Sequence, residues 1–140
     1  MNVFLVFAAV AALAYADAVG LTNEKIAEIR QKAKACVEQE GVTKEQAIAL
    51  KAGNFTDIDP KVKCFANCFL EKSGLVINGQ VQPAVVLAKL GLLAGKDLVK
   101  DVQAKCDSVK GADKCDTSFQ LYKCYKAKLP AKFEEQIKII

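Results

Sequence analysis

Apolar residues recur along this chain three and four positions apart, and glycine or proline separates each such segment from the next. No segment shows the sustained apolar–polar alternation that is typical of a half-buried strand. We therefore predict a single all-α domain of six helices. The predicted helices cover about residues 22–40, 43–53, 59–74, 83–94, 96–108 and 113–128.

The first three helices have recognisable start signals. Thr22 is a predicted N-cap, and Thr43-x-x-Gln46 has the form of a capping box, in which each residue binds the other's backbone N–H. Asp59-Pro60 places a capping carboxylate directly before a proline in the first turn. These signals fix where each helix begins.

The fourth helix is apolar on every side. It follows a predicted loop, residues 75–82, which contains the turn dipeptide Asn78-Gly79. Lys89 is the only charged residue in the helix, so burial on all sides is expected. Such a helix either fills the centre of a solid core or lines an internal apolar cavity with one face.

Residues 1–16 have the form of a secretory signal peptide. An apolar run from Val3 to Ala14 ends in Ala14-Tyr15-Ala16, a small-x-small cleavage site. The run is shorter than the ~20 residues that a membrane-spanning helix needs, so a transmembrane anchor is the less favoured interpretation. We expect a secreted, extracellular protein whose mature domain is 17–140.

The chain offers little for catalysis, metal binding or nucleic-acid binding. It contains no histidine, which removes Ser-His and Cys-His nucleophiles as well as the usual zinc ligands. Its 20 basic residues are interleaved with 16 acidic ones and form no basic stripe for a phosphate backbone. We expect no enzyme activity, no catalytic residue, no metal, no cofactor and no nucleic-acid partner.

Six cysteines indicate three disulfides formed in an oxidising compartment. Cys64 and Cys68 lie one turn apart on one helix and rarely bond each other. Cys115 and Cys124 would lie roughly 13 Å apart on opposite faces of the sixth helix, beyond the ~7 Å limit for a bridge. These exclusions leave several pairings open.

The cysteine order C-x27-C-x3-C-x37-C-x8-C-x8-C, in a secreted helical chain, resembles that of the insect odorant-binding proteins of the pheromone- and general-odorant-binding family. The resemblance covers the mature chain and implies six helices around a closed apolar cavity. It also implies a monomeric or weakly dimeric carrier of odorants, pheromones or related small hydrophobic ligands, with a membrane receptor as a partner at delivery. The pairing that it implies is Cys36–Cys68, Cys64–Cys115 and Cys106–Cys124.

Residues with inward or apolar positions are the candidates for the ligand pocket, and ordinary core packing is the alternative for each. The apolar tail after Pro130 is expected to fold back over the cavity mouth as a lid. The candidates are Ile26, Ile29, Ala33, Val86, Leu90, Leu93, Leu98, Val102, Phe119, Tyr122, Phe133 and Ile137.

Arg30, the only arginine, lies beside the inward stripe of the first helix. It is a candidate to bind a carboxylate, either the Ile140 terminus of the folded tail or the head group of a fatty-acid ligand, because its planar head suits a two-oxygen acceptor. The alternative is a snorkelling side chain whose head stays in water.

Two other functions stay open. A carrier of fatty acids or other lipids in a non-olfactory secretion fits the same pattern. A saposin-like membrane-active protein is also helical with three disulfides, but the C-x-x-C pair typical of that class is absent here.

Overall fold

The computed structural model describes residues 22–130, and six helices dominate this range. They are α1 (Asn23–Glu40), α2 (Lys44–Ala52), α3 (Pro60–Lys72), α4 (Pro83–Ala94), α5 (Lys96–Cys106) and α6 (Lys114–Lys128). The all-α prediction is confirmed, and the helix boundaries lie within about two residues of those predicted. Phe133, Ile137, the lid and the signal peptide lie outside the described residues.

The predicted start signals are all in place. The Thr22 hydroxyl accepts from the Lys25 backbone N–H at 3.2 Å. Thr43 and Gln46 form the reciprocal capping box, and the Asp59 carboxylate accepts from the backbone N–H of Lys61 at 2.9 Å. Local side-chain chemistry therefore sets the entry to the first three helices.

The predicted loop at 75–82 contains a short β-hairpin, so that prediction is wrong in detail. Strand β1 (Val76–Ile77) pairs with the antiparallel β2 (Gln80–Val81). Asn78 and Gly79 both have positive φ, as a tight two-residue hairpin turn requires. Two residues per strand are too few for apolar–polar alternation to show in the sequence.

The core lies where α3 packs against α1 and α6. Phe65 on α3 and Phe119 on α6 are buried in it, and the ring of Phe55 meets Phe119 edge-on at 5.6 Å. Ser118 is fully buried, and its hydroxyl donates to the Asn67 side-chain oxygen at 2.7 Å. A buried hydrogen bond thus joins α3 to α6.

Three disulfides link the helices covalently. Cys36–Cys68 ties α1 to α3, Cys64–Cys115 ties α3 to α6, and Cys106–Cys124 ties α5 to α6. These are the pairs that the resemblance implies. Helices α2 and α4 contain no cysteine, and α4 packs mainly on α5.

The expectation that α4 is buried on every side is wrong. Val86 is its only buried residue, and Leu92 is 61% exposed. The reason is that α4 forms the wall of a large pocket instead of filling a solid core. Helix α4 thus lines an apolar pocket on the protein and does not fill a solid core.

Within the described range, the helices are too short or too polar to cross a membrane.

Candidate functional site

A large apolar pocket of about 670 Å³ lies between α1, α3, the hairpin, α4 and α6. Lysine side chains at its rim and the exposed Leu92 show that it opens to the surface. Its apolar lining in the described chain consists of Ile29, Phe69, Leu70, Leu75, Val76, Val81, Val86, Ala88, Leu90, Leu92, Leu93, Leu121, Tyr122, Tyr125 and Leu129.

Several elements contribute neighbouring side chains to this lining. Leu90 and Leu93 lie one turn apart on α4, and Val76 pairs with Val81 across the hairpin. Tyr122 and Tyr125 lie one turn apart on α6. Helical and hairpin geometry therefore brings apolar side chains from distant parts of the chain to one surface.

The hydroxyls of the two tyrosines are already hydrogen-bonded. Tyr122 donates to the Leu50 backbone carbonyl at 3.1 Å, and Tyr125 donates to the Asp107 carboxylate. Burial, together with the hydrogen bond to Asp107, raises the pKa of Tyr125 far above its ordinary value. Both rings thus face the pocket without leaving a buried hydroxyl unpaired.

Five lysines also line the pocket, and in the described lining Glu28 is the single acidic residue. The group comprises Lys25, Lys32, Lys51, Lys89 and Lys126. Burial, followed by the positive charges of Lys32 and Lys25, lowers the pKa of Lys89, while Glu28 opposes the shift. The rim is therefore positively charged, whereas the interior is apolar.

Five of the predicted pocket residues line the pocket. They are Ile29, Val86, Leu90, Leu93 and Tyr122.

The structure places six others away from the described lining. Ala33 and Val102 are fully buried between helices, and Phe119 packs in the core against Phe55. Arg30 is exposed on α1, one position beyond the pocket-lining Ile29, and does not belong to the described lining. Ile26 and Leu98 are partly buried elsewhere.

Sequence reasoning missed the hairpin residues, the end of α3 and the lysines. Tyr125 could have been found, because it follows the predicted Tyr122 by three positions on one helix face. The lysines gave no such signal, since they resemble solvated surface charges in sequence. In the part of the chain that the structure describes, no group of side chains is arranged to hold a metal ion.

Comparison with known proteins identifies the family. The sequence model of the PBP/GOBP family matches residues 19–128. The chain belongs to this family. The earlier resemblance is thereby confirmed.

Individual relatives agree with this family membership. General odorant-binding protein 56a of Drosophila melanogaster is 37% identical over 134 residues, which is 94% of this chain and 96% of that protein. Odorant-binding protein 10 of Aedes aegypti is 37% identical over 75% of this chain and 78% of its own length.

Solved structures share the fold. The fatty acid binding protein OBP56a from the oral disk of the blowfly Phormia regina has a TM-score of 0.68 and 40% identity, over 81% of this chain and 96% of that one. Apis mellifera odorant binding protein 5 has a TM-score of 0.67 at 21% identity, over 82% and 98% of the two chains, which supports the fold alone.

PBP/GOBP proteins are carriers of small hydrophobic ligands without enzyme activity, and are typically secreted. The chain is therefore a small-hydrophobic-ligand carrier and not an enzyme.

Proposed function

We propose that this PBP/GOBP protein takes odorants, pheromones or related volatiles into the pocket between α1, α3, α4 and α6 and carries them through an extracellular fluid. The observation that carries the proposal is the pocket of about 670 Å³, whose lining is mainly aliphatic and aromatic, with charged side chains at its rim. At ~25 cal/mol per Å², a ligand that buries ~300 Å² gains several kcal/mol, and micromolar affinity needs ~8 kcal/mol.

The proposal includes processing and assembly. Residues 1–16 act as a signal peptide, and residues 17–140 form the secreted carrier, as a monomer or weak dimer that delivers its ligand to a membrane receptor. Three disulfides support an oxidising compartment.

Displacement of the neutral fluorescent probe N-phenyl-1-naphthylamine tests the pocket. Leu90→Gln places an amide in the apolar wall and is expected to weaken probe binding about tenfold, since burying an unpaired amide costs about 1–3 kcal/mol. Ile48→Gln is the matched control, because Ile48 is 50% exposed on α2 and away from the pocket. If the two variants bind the probe with equal affinity, the probe does not bind in this pocket.

A second candidate is a fatty-acid carrier in a non-olfactory secretion. The lysines at the pocket rim favour it, and the blowfly relative is described as a fatty acid binding protein from the oral disk. Native mass spectrometry of the protein purified from its source would separate the two candidates by the mass of the bound ligand.

A further inference from the structure

The rim of the pocket carries more positive than negative charge, and α1 supplies part of the positive charge. Lys25, Glu28, Ile29 and Lys32 occupy positions i, i+3, i+4 and i+7 of this helix and all line the pocket. Residues at this spacing share one helix face. One apolar side chain, Ile29, thus enters the pocket beside charged neighbours that stay at its edge.

Lys89 brings a further ammonium group to this edge from α4. Its Nζ donates to the backbone carbonyl of Ser73, which caps the C-terminus of α3. Lys25, Lys32 and Lys89 all line this pocket, and the positive charges of Lys32 and Lys25 add to the burial that lowers the pKa of Lys89. Glu28, the single carboxylate of the described lining, opposes this shift and forms an ion pair with Lys25 at 3.8 Å.

Positive charge therefore exceeds negative charge at the mouth of the apolar pocket, where Lys32 and Lys89 approach from two different helices. An anionic head group placed between them would relieve this repulsion, while its alkyl tail would cover Leu90 and Leu93 inside. Ammonium groups donate charge-assisted hydrogen bonds to carboxylate oxygens, which are stronger than those between neutral groups.

We infer that Lys32 and Lys89 form a head-group subsite, and that the carrier selects long-chain carboxylates over uncharged molecules with the same alkyl chain. This inference rests on the proposed binding of apolar ligands in the pocket and specifies which polar end those ligands carry. Arg30, the residue that the sequence suggested for this role, lies outside the described lining.

Three ligands with the same alkyl chain test the inference by displacement of N-phenyl-1-naphthylamine. They are dodecanoate, dodecanol and the cation dodecyltrimethylammonium, used at pH 8 with the two ions below their critical micelle concentrations and dodecanol below its solubility limit. Dodecanoate is expected to bind tightest and the cation weakest. Raising the salt concentration should lower the dodecanoate-to-dodecanol affinity ratio, because partly exposed charges are screened.

The decisive comparison uses two double variants with the same change in net charge. Lys32→Gln/Lys89→Gln removes the subsite, whereas Lys34→Gln/Lys100→Gln removes two exposed lysines outside the pocket lining. The first is expected to lower the dodecanoate-to-dodecanol affinity ratio about three- to tenfold, from about 0.3–0.7 kcal/mol for each exposed charge contact. The second should leave the ratio within about twofold. Lys32→Arg/Lys89→Arg should retain the preference, because it keeps both charges.

The outcomes separate the two proposals. If dodecanol displaces the probe and both glutamine variants change the ratio equally, or neither changes it, the head-group subsite is overturned and the apolar pocket stands. If wild type shows no preference for dodecanoate at low salt, the subsite is also overturned. Failure of all three ligands to displace the probe would overturn the pocket function itself.

Discussion

Tyr125 joins the pocket wall to a partly buried carboxylate. Its ring lines the pocket while its hydroxyl donates to Asp107. Burial raises the pKa of Asp107, and the hydrogen bond from Tyr125 acts in the opposite direction. Since the folded-state pKa lies above the unfolded one, the charged Asp107 lowers stability at neutral pH, and this loss disappears as the pH falls through the folded pKa.

Removing the Tyr125 hydroxyl should therefore have a pH-dependent effect. Tyr125→Phe is expected to lower the free energy of unfolding by about 1–2 kcal/mol at pH 7. The effect should shrink as the pH falls, because protonation removes the charge of the Asp107 carboxylate that accepts this hydrogen bond. Urea unfolding at pH 7 and at about pH 3, below the ordinary pKa of an aspartate, measures both values. Tyr122→Phe is the control, since its acceptor is the uncharged Leu50 carbonyl; the same pH dependence in both variants would contradict the assignment.

The buried hydrogen bond between Ser118 and Asn67 can be tested by removing the serine hydroxyl. Ser118→Ala leaves the side-chain oxygen of Asn67 without this donor, and Asn67 is itself buried. A loss of about 1–3 kcal/mol in unfolding free energy is expected. The exposed Ser108→Ala should change stability by less than about 0.5 kcal/mol. Equal urea midpoints for the two variants would show that the buried hydrogen bond contributes nothing to stability.

At the scale of elements, the hairpin turn packs against the first turn of α6. Gly79 has a φ of +77°, and a Cβ there would lie 3.1 Å from the Cβ of Lys114 and 3.3 Å from its Cα. Gly41 has a similar φ of +69°, but a Cβ there would have no neighbour within 4 Å. The two glycines thus share a backbone conformation and differ in crowding.

Replacing each glycine by alanine should separate these two effects. Gly41→Ala is expected to cost about 1 kcal/mol from the left-handed backbone alone. Gly79→Ala should cost at least about 1 kcal/mol more, because the α6 backbone must move as well. Thermal unfolding gives both values, and equal losses would mean that the hairpin does not pack on α6 as described. Because Val76 and Val81 line the pocket, Gly79→Ala should also weaken probe binding more than Gly41→Ala.

Local signals account for what the sequence predicted of these elements. Thr43 with Gln46 and Asp59 with Pro60 determine helix starts through contacts within four residues, so they can be identified without tertiary information. Asn78-Gly79 marked the turn of the hairpin, but two-residue strands carry no periodicity that would have identified the strands on either side. On α6, Tyr122 lines the pocket and Phe119, one turn earlier, is core. Whether a residue of α6 lies in the core or lines the pocket depends on how the neighbouring helices pack, which the sequence of α6 alone does not reveal.

At the scale of the whole molecule, four helices form a disulfide-linked frame, whereas α4, which forms one wall of the pocket, has no disulfide and is held by packing. Helices α1, α3, α5 and α6 are joined by disulfides, and α3 and α6 also make the most extensive helix–helix contact. Helix α4 is connected to this frame largely through α5, whose only disulfide is Cys106–Cys124. Loss of different disulfides should therefore affect stability and ligand binding differently.

Two double variants test this separation. Cys64 and Cys115 are 51 residues apart, and Cys106 and Cys124 are 18 apart. From loop-closure entropy, Cys64→Ala/Cys115→Ala should lose about 4 kcal/mol of unfolding free energy and Cys106→Ala/Cys124→Ala about 3 kcal/mol. Urea unfolding measures this order.

For probe binding we expect the opposite order, with the larger loss of affinity in the variant that lacks Cys106–Cys124. Without Cys106–Cys124, α5 and the α4 wall lose the disulfide that holds them on α6, so probe affinity should fall about tenfold or more, as when an apolar wall becomes loosely packed. Without Cys64–Cys115, α3 and α6 remain packed through Phe65, Phe119 and the Asn67–Ser118 hydrogen bond. Probe affinity in that variant should stay within about threefold of wild type, measured in conditions where both variants are folded. Equal loss of affinity in the two variants would mean that the pocket wall depends on the whole frame and not on the α5 attachment.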